Sequence, residues 1–251
     1  MGYAMESNYQ IIIGANSEIA KAIAGNLITN DAPNGETLIL FSRDLSFYET
    51  KRFANAIKIA VDDYSEAEIK QATELVSPSH LERVNKVFVC HGILHTALFS
   101  PEKQLASFNP EQFSQTLMAN SLTPLLWLKH LVPFLSFKPC CQIVVFSARI
   151  GSISDNNLGG WYSYRASKAA LNMMLKTAAI EFKRRAKNIK LIAFHPGTTD
   201  SPLSRPFQRN VPEGKLFTST FVATSLLSHL ETYQADGELT YIDWQNKPIN
   251  Y

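Results

Sequence analysis

The sequence predicts an α/β fold: a doubly wound parallel sheet of about seven strands with helices on both faces, in a single domain over residues 1–251. Three observations predict it. Short apolar runs recur at 9–14, 37–41, 57–61, 84–90, 142–147, 189–195 and 239–242. Most are apolar throughout rather than alternating, as strands covered on both faces are. Segments with helical spacing separate them, and no linker, repeat or low-complexity stretch interrupts the series. Repeated strand–helix units predict crossovers into one parallel sheet.

The helical segments carry their own start signals. Residues 17–29 are rich in Ala and Ile, behind Ser17. Ser65 and Glu68 stand at capping-box spacing and open a helix to about Val76. Asn109 precedes Pro110, a cap residue before a proline suited to the first helical position, and a long helix follows. Residues 164–186 and 218–232 supply the last two.

Composition excludes several classes. The 24 basic and 22 acidic residues nearly cancel, which leaves no electrostatic footprint for nucleic acid or a membrane surface. A 45% hydrophobic content suffices for a full core. Three cysteines, with Cys140 and Cys141 adjacent, make no disulfide framework and fit a reducing compartment. No apolar run approaches the roughly 18–20 residues of a membrane span, and no signal-peptide pattern opens the chain. The expectation is a soluble, cytoplasmic protein. Met1-Gly2-Tyr3-Ala4 reads as an expression scar ahead of Met5.

Doubly wound sheets bind ligands beyond the carboxyl ends of their strands, so the residues after each strand matter most. Gly14-Ala15-Asn16-Ser17-Glu18-Ile19 runs from the first strand straight into a helix. Free amides and the positive dipole end there suit a pyrophosphate, although one glycine before a capped helix is also ordinary punctuation. After the second strand, Ser42 occupies the place where an acidic residue holds ribose hydroxyls, and Arg43 follows. That favours a 2′-phosphate, hence NADP(H) over NAD(H), with Asp44 as the contrary signal. Asp62 and Asp63 either meet the adenine or cap the helix at Ser65. Cys90 and Gly92 end the fourth strand, where glycine lets the backbone approach a cofactor. His91 and His95 lack partners at metal-ligand spacing, so no metal site is expected.

Tyr164 and Lys168 stand at i and i+4, on one helix face. A neighbouring ammonium is expected to lower the phenol's pKa and fit it for general acid–base work. The spacing alone is common in helices. Tyr162, two residues earlier, reads as packing.

Together the motifs carry a resemblance. Residues 13–20, Cys90-His91-Gly92-Ile93-Leu94-His95, Met118-Ala119-Asn120-Ser121, residues 147–156, residues 164–168 and His195-Pro196-Gly197-Thr198-Thr199-Asp200 resemble, in order and spacing, the short-chain dehydrogenase/reductase family. The chain looks most similar to the small branch of C-factor-like and carbonyl-reductase-like members, with a Rossmann-type fold. The resemblance implies that Tyr164 donates a proton to a substrate carbonyl and that Lys168 lowers its pKa and holds the nicotinamide ribose. It implies that Asn120 bends its helix and positions a water, and that a serine after the fifth strand binds the substrate oxygen. Pro196, Gly197, Thr198 and Thr199 are implied against the nicotinamide. It also implies a homodimer or homotetramer built on the helices near Asn109 and Tyr164.

The sequence departs from the family pattern at definite places. Glu18 and Ala20 replace the second and third glycines of T-G-x-x-x-G-x-G. Val89-Cys90-His91-Gly92 replaces N-N-A-G. Ser147-Ala148 replaces a Ser-Ser doublet whose second serine is catalytic, which leaves Ser147 as the expected hydroxyl and Ser152 as the alternative.

The leading expectation is reduction of an aldehyde or ketone, or oxidation of the alcohol, by an NADP(H)-dependent enzyme. Residues 201–217 form its mobile substrate loop. Phe207 and Leu203 hint at an apolar substrate portion, Arg205 or Arg209 at an acidic one. The alternative is a dinucleotide-binding regulatory or signalling protein with little turnover. A sugar-nucleotide epimerase shares the Tyr/Lys pair, but about fifty residues after Gly197 leave little room for its substrate domain.

Overall fold

The computed structural model describes residues 8–28, 36–135 and 140–251. Its strands are β1 (Tyr9–Ile13), β2 (Thr37–Ser42), β3 (Ile57–Ala60), β4 (Val84–Val89), β5 (Cys141–Phe146), β6 (Ile189–His195), β7 (Thr198–Thr199), β8 (Leu216–Phe217) and β9 (Leu239–Asp243). Seven of them make one sheet in the order β3-β2-β1-β4-β5-β6-β9, and every pairing in it is parallel. The helices are α1 (Glu18–Leu27), α2 (Glu66–Glu74), α3 (Pro78–Leu81), α4 (Pro110–Leu117), α5 (Thr123–Leu135), α6 (Tyr162–Arg185) and α7 (Ser219–Leu230). The end of the first expected helix, Thr29, and the reading of residues 1–4 lie outside the described residues.

The unbroken apolar strands are explained by two cores. Ile11, Ile13, Phe41 and Val145 point to one face, under Ile69 of α2, Trp127 of α5 and Leu171 of α6. Their neighbours Ile12, Leu40 and Val144 point to the other, under Ile23 of α1 and Leu226 of α7. Both sides of the central strands β1, β2 and β5 are buried, so alternation disappears there. Strand β1 has β2 on one side and β4 on the other, and strand order reverses there. A crevice opens at the carboxyl ends at such a point.

The expected caps form. Ser17 Oγ accepts from Ala20 N at 3.2 Å, and Asn109 Oδ1 from Glu111 N at 2.8 Å and Gln112 N at 3.0 Å. Thr218, not among the expected caps, also accepts through Oγ1 from Phe221 N at 3.1 Å. Ser65 Oγ accepts from Glu68 N at 3.3 Å, but Glu68 does not return to Ser65. Its carboxylate instead gathers the amides of Asp62, Asp63 and Tyr64 at 2.6, 2.8 and 3.0 Å.

The long helix expected after Pro110 is interrupted. Between α4 and α5 lies a π-helical turn, Met118–Leu122, in which Thr123 N donates to Met118 O. Proline at 124 has no N–H to give the carbonyl of Asn120, four residues earlier, and its ring crowds that carbonyl. Widening the turn relieves the clash and sets Asn120 inward, fully buried.

Helix α6 lies tightly against the turn after β5. A Cβ on Gly151 would stand 2.8 Å from the backbone carbon and Cβ of Lys168 and 3.0 Å from Ala169 N. Backbone sits on backbone there, with no side chain free to swing away. Gly151→Ala is therefore expected to push α6 off the sheet and cost about 1–3 kcal/mol, as overpacking does. A urea midpoint equal to wild type would contradict this packing.

Candidate active site

A cavity of about 1010 Å³ opens at the carboxyl end of the sheet. Gly14, Asn16, Ser17 and Ile19 line it from the turn after β1, Ser42 and Arg43 from β2, Cys90 and Gly92 from β4, Ser147 from β5, Pro196 from β6, and Tyr164 and Lys168 from α6. The topology thus brings most of the expected residues to one place.

The turn after β1 is fixed by its surroundings. Gly14 has φ +72°, and a Cβ on it would meet the carbonyl group of Cys90 at 3.3 Å. The amides of Gly14 and Ala15 both donate to Phe41 O, at 2.9 and 3.1 Å. Buried Tyr48 donates its hydroxyl to Ala15 O at 2.7 Å. Tyr48 lies in a short 3₁₀ turn with no recognisable sequence signal. The first amides of α1, those of Glu18 and Ile19, lie outside the helical ladder and point outward from its N-terminus. Glu18 lines the cavity, but its carboxylate is drawn to Lys21 Nζ at 3.1 Å.

At the end of β2 the two competing signals separate. The Asp44 carboxylate accepts from Ser46 N at 2.9 Å and Asn16 Nδ2 at 3.2 Å, and these bonds hold its pKa below the ordinary carboxylate value. Arg43 is exposed, lies 5.9 Å over the ring of Tyr64 and has no ion-pair partner among the described residues. Beyond β3 the lining is Asp63, Tyr64 and Ser65; Asp62 is exposed and stands outside it, with its amide tied to Glu68. Of the two aspartates expected either at the adenine or at the start of the next helix, only Asp63 lines the cavity. Gly197, Thr198 and Thr199 also lie behind the lining, where a Cβ on Gly197 would meet the Phe217 ring at 2.6 Å.

Lys168 is buried at 3% exposure, and its Nζ donates to Phe146 O at 2.9 Å. Burial lowers its pKa to about 8. Its Nζ is 6.0 Å from the centre of the Tyr164 ring. Contrary to the expectation for an adjacent ammonium, the Tyr164 phenol is held above its ordinary value, because desolvation outweighs any charge nearby and Tyr241 adds to it. At neutral pH Tyr164 keeps its proton. Asn120 knits the surroundings: Oδ1 accepts from Ile93 N at 2.7 Å, and Nδ2 donates to Ile93 O and Ser167 Oγ, both at 2.9 Å.

The two candidate serines differ in placement. Ser152 is buried away from the cavity, with its Oγ 3.2 Å from that of Ser154. Ser147 lines the cavity, yet its hydroxyl donates to Asn172 Oδ1 at 2.6 Å. Tyr241 donates to Ala148 O at 2.7 Å behind it. Tyr162, expected as packing, is 37% exposed.

Residues 201–217 are more ordered than a loop. β7 and β8 pair at its base, a 3₁₀ helix spans Arg205–Asn210, and Ser204 Oγ donates to Thr199 O at 2.6 Å. Ser201, Pro202 and Leu203 line the cavity, whereas Arg205 and Arg209 do not. Phe207 packs on Trp161 and His95, with ring centres 5.1 and 5.6 Å apart. Among the described residues, no three His, Cys, Asp or Glu side chains gather as a metal site.

A family model described as short chain dehydrogenase matches residues 8–212. The chain belongs to the short-chain dehydrogenase family. It is an oxidoreductase of that family, and similar to a benzil reductase ((S)-benzoin forming) of Bacillus cereus at 25% identity over 260 residues, 94% of this chain and 99% of that protein. Similarity to the C-signal of Myxococcus xanthus is 30% over 93 residues, covering 37% of this chain and 55% of that protein. The fold matches the carbonyl reductase Sniffer of D. melanogaster with a TM-score of 0.81 at 18% identity, over 98% of this chain and 100% of the other. It matches an NADPH-bound carbonyl reductase from chicken fatty liver at 0.79 and 21%, with the same coverage. The full-length likeness is to an oxidoreductase and the signalling likeness is partial, so the regulatory alternative is not favoured.

Two half-buried histidines of this short-chain dehydrogenase are held neutral. Burial, aided by Arg43 and Lys168, lowers the pKa of His91 to about 3. Burial and Arg149 lower that of His195 to about 3, against a small opposing pull from Asp243. Both take up protons only on unfolding, so stability is present above the unfolded pKa near 6.5 and is lost as pH falls towards 3. Between about pH 6 and 5 each histidine contributes a slope of about 1.4 kcal/mol per pH unit. Urea midpoints near those two pH values are expected to fall accordingly in wild type. His195→Gln is expected to remove about half of the fall, and an unchanged slope would refute the assignment.

Proposed function

We propose that this oxidoreductase reduces an uncharged aldehyde or ketone with hydride from NADPH, Tyr164 giving the carbonyl oxygen its proton. The observation that carries the reading is the meeting of Tyr164 and Lys168 with the α1 N-terminus in one cavity at the sheet's switch point. The dinucleotide fits: Gly14 clears a path for a backbone-hugging diphosphate, and the Glu18 and Ile19 amides favour its charge. Bound NADPH supplies the hydride.

This chain's residues do the rest. Arg43 pairs with the 2′-phosphate, an assignment supported by the engagement of Asp44 elsewhere and by NADP(H)-bound relatives in the fold comparison. Lys168 binds the nicotinamide-side ribose, and Asn120 keeps Ile93 and α6 in register beside it. Tyr164, protonated at neutral pH, donates to the oxygen as the carbonyl carbon receives hydride. Ile93, Pro196, Pro202 and Leu203 are among the residues that line the cavity, and neither Arg205 nor Arg209 joins them, which supports an apolar rather than an acidic substrate. Ser147 borders the reacting group while its own proton is given to Asn172.

Tyr164→Phe is expected to lower turnover across a panel of aldehydes and ketones about 10²–10⁴-fold while NADPH still binds. Arg43→Ala is expected to weaken NADPH about tenfold and leave NADH unchanged, the loss of one charge-assisted contact. Undiminished NADPH oxidation in the first variant sinks the proton-donor role, and equal loss of both nucleotides in the second sinks the 2′-phosphate role.

The same reading places the protein in the cytoplasm as a homodimer or homotetramer. Met118 and Leu122 of the π turn and Met173 and Ile180 of α6 are exposed at 53%, 38%, 67% and 52%. Among the described residues no helix is long and apolar enough to cross a membrane. Ile180→Glu is expected to yield monomers by light scattering at micromolar concentration, and a wild type already monomeric there defeats the assembly.

A further inference from the structure

We propose that Glu102 is a positioning residue for Tyr164, pinning the first turn of α6 to the loop that follows β4. The proposal rests on Tyr164 acting as the proton donor. Glu102 is 3% exposed, and its carboxylate enters no ion pair among the described residues. One oxygen accepts from the Ser163 hydroxyl, and the other from Ser163 N at 3.2 Å. Its backbone carbonyl accepts from Trp161 N at 2.5 Å. A single residue, remote in sequence, thus grips both sides of the helix start immediately before Tyr164.

The grip answers a local need. Gly159, Gly160 and Trp161 follow one another at φ +65°, +64° and +54°. Glycine adopts that region freely, whereas tryptophan adopts it only under strain. Trp161 also leaves α6 without a side-chain cap of its own. A carboxylate at the positive end of a 24-residue helix satisfies the free amide and is favoured by the dipole. Arg165 closes the other flank, donating through Nε to Gly160 O at 3.0 Å and Nη2 to Gly159 O at 3.1 Å. The strained Trp161 then presents its ring to Tyr164, with centres 6.2 Å apart.

The loop's other end is held too, because Asn120 joins Ile93 to Ser167. The loop is therefore tied to α6 at Ser163 and Ser167, one turn apart, on either side of Tyr164. Removing the first tie frees the tyrosine to move without touching substrate or cofactor contacts directly.

Steady-state NADPH oxidation, with a carbonyl compound that the panel shows to be turned over, is compared in wild type, Glu102→Ala, Glu102→Gln, Tyr164→Phe and Glu102→Ala/Tyr164→Phe. Glu102→Ala is expected to lower kcat about ten- to hundredfold, as small misplacement of a reacting group does, with the NADPH Kd within about twofold. Glu102→Gln, still able to accept from Ser163 N–H, is expected to recover most of that loss. In the Tyr164→Phe background, Glu102→Ala is expected to cost nothing more; an equal loss in both backgrounds overturns the proposal. If Tyr164→Phe alone changes nothing, the proton-donor reading fails, and pinning is then read from amide hydrogen exchange of the unliganded protein. There Glu102→Ala must hasten exchange over residues 161–168 and spare the sheet, and unchanged exchange overturns the proposal. Glu102→Asp, which lacks the reach, gives the same readout if the alanine variant does not fold.

Discussion

The ammonium of Lys168, bonded to the carbonyl of Phe146 at the end of β5, is the contact on which the site's arrangement depends. It lowers a charge into the domain, at a cost visible in a pKa pulled down to about 8. The carbonyl it meets belongs to the last residue of a buried strand, and α6 reaches that strand only because Gly151 has no side chain to hold it off. The same approach brings Lys168 Nζ and Asn120 Oδ1 to one side of Gly92, where a Cβ would lie 3.5 Å from each. Strand ends, π turn and α6 are thus held in register around one charge.

Much of this was legible before the structure. Continuous apolar runs mean strands buried twice over, and the two cores on either side of Ile11 and Ile12 are that statement in three dimensions. The caps at Ser17 and Asn109 were legible because a cap is a local hydrogen bond between near neighbours. The break at Asn120 carried a signal as well, Pro124 four residues on, and the family resemblance implied a bend there. Tyr48, Asn172, Tyr241 and Glu102 carried none. Each meets its partner across tens of residues, and spacing along a chain says nothing of such a meeting. The ordering of residues 201–217 was hidden for the same reason, since two-residue strands at its base have no periodicity to display.

The expected direction of the tyrosine's pKa failed for an instructive reason. Sequence spacing places an ammonium near a phenol, and proximity alone argues for a stabilised phenolate. Burial acts on both groups at once, however, and it opposes the charged form of each. With the Lys168 proton directed to a carbonyl rather than to the phenol, desolvation prevails. A neutral tyrosine is the form a carbonyl reduction consumes and an alcohol oxidation regenerates, so its protonation in the free protein is compatible with the proposed proton-donor role.

The departures from the family pattern do not weigh equally, because the two ends of the cavity work through different groups. At the end proposed for the phosphates, what the chain offers is backbone: amides of the α1 N-terminus and the clearance at Gly14. A side chain at Glu18 leaves those amides in place, and its charge is drawn aside by Lys21. Ala20 is buried against the second core and presents nothing to the cavity. At the chemical end the chain acts with side chains, and there a substitution removes the acting group itself. Ala148 has no hydroxyl, Ser147 spends its own on Asn172, and Ser152 lies elsewhere. Under the proposed reduction, holding the substrate oxygen in place is left to Tyr164 and to the cavity walls. Precision in that one side chain then matters more than in a site with two hydroxyls, and a helix start gripped by a buried carboxylate is what such a site requires.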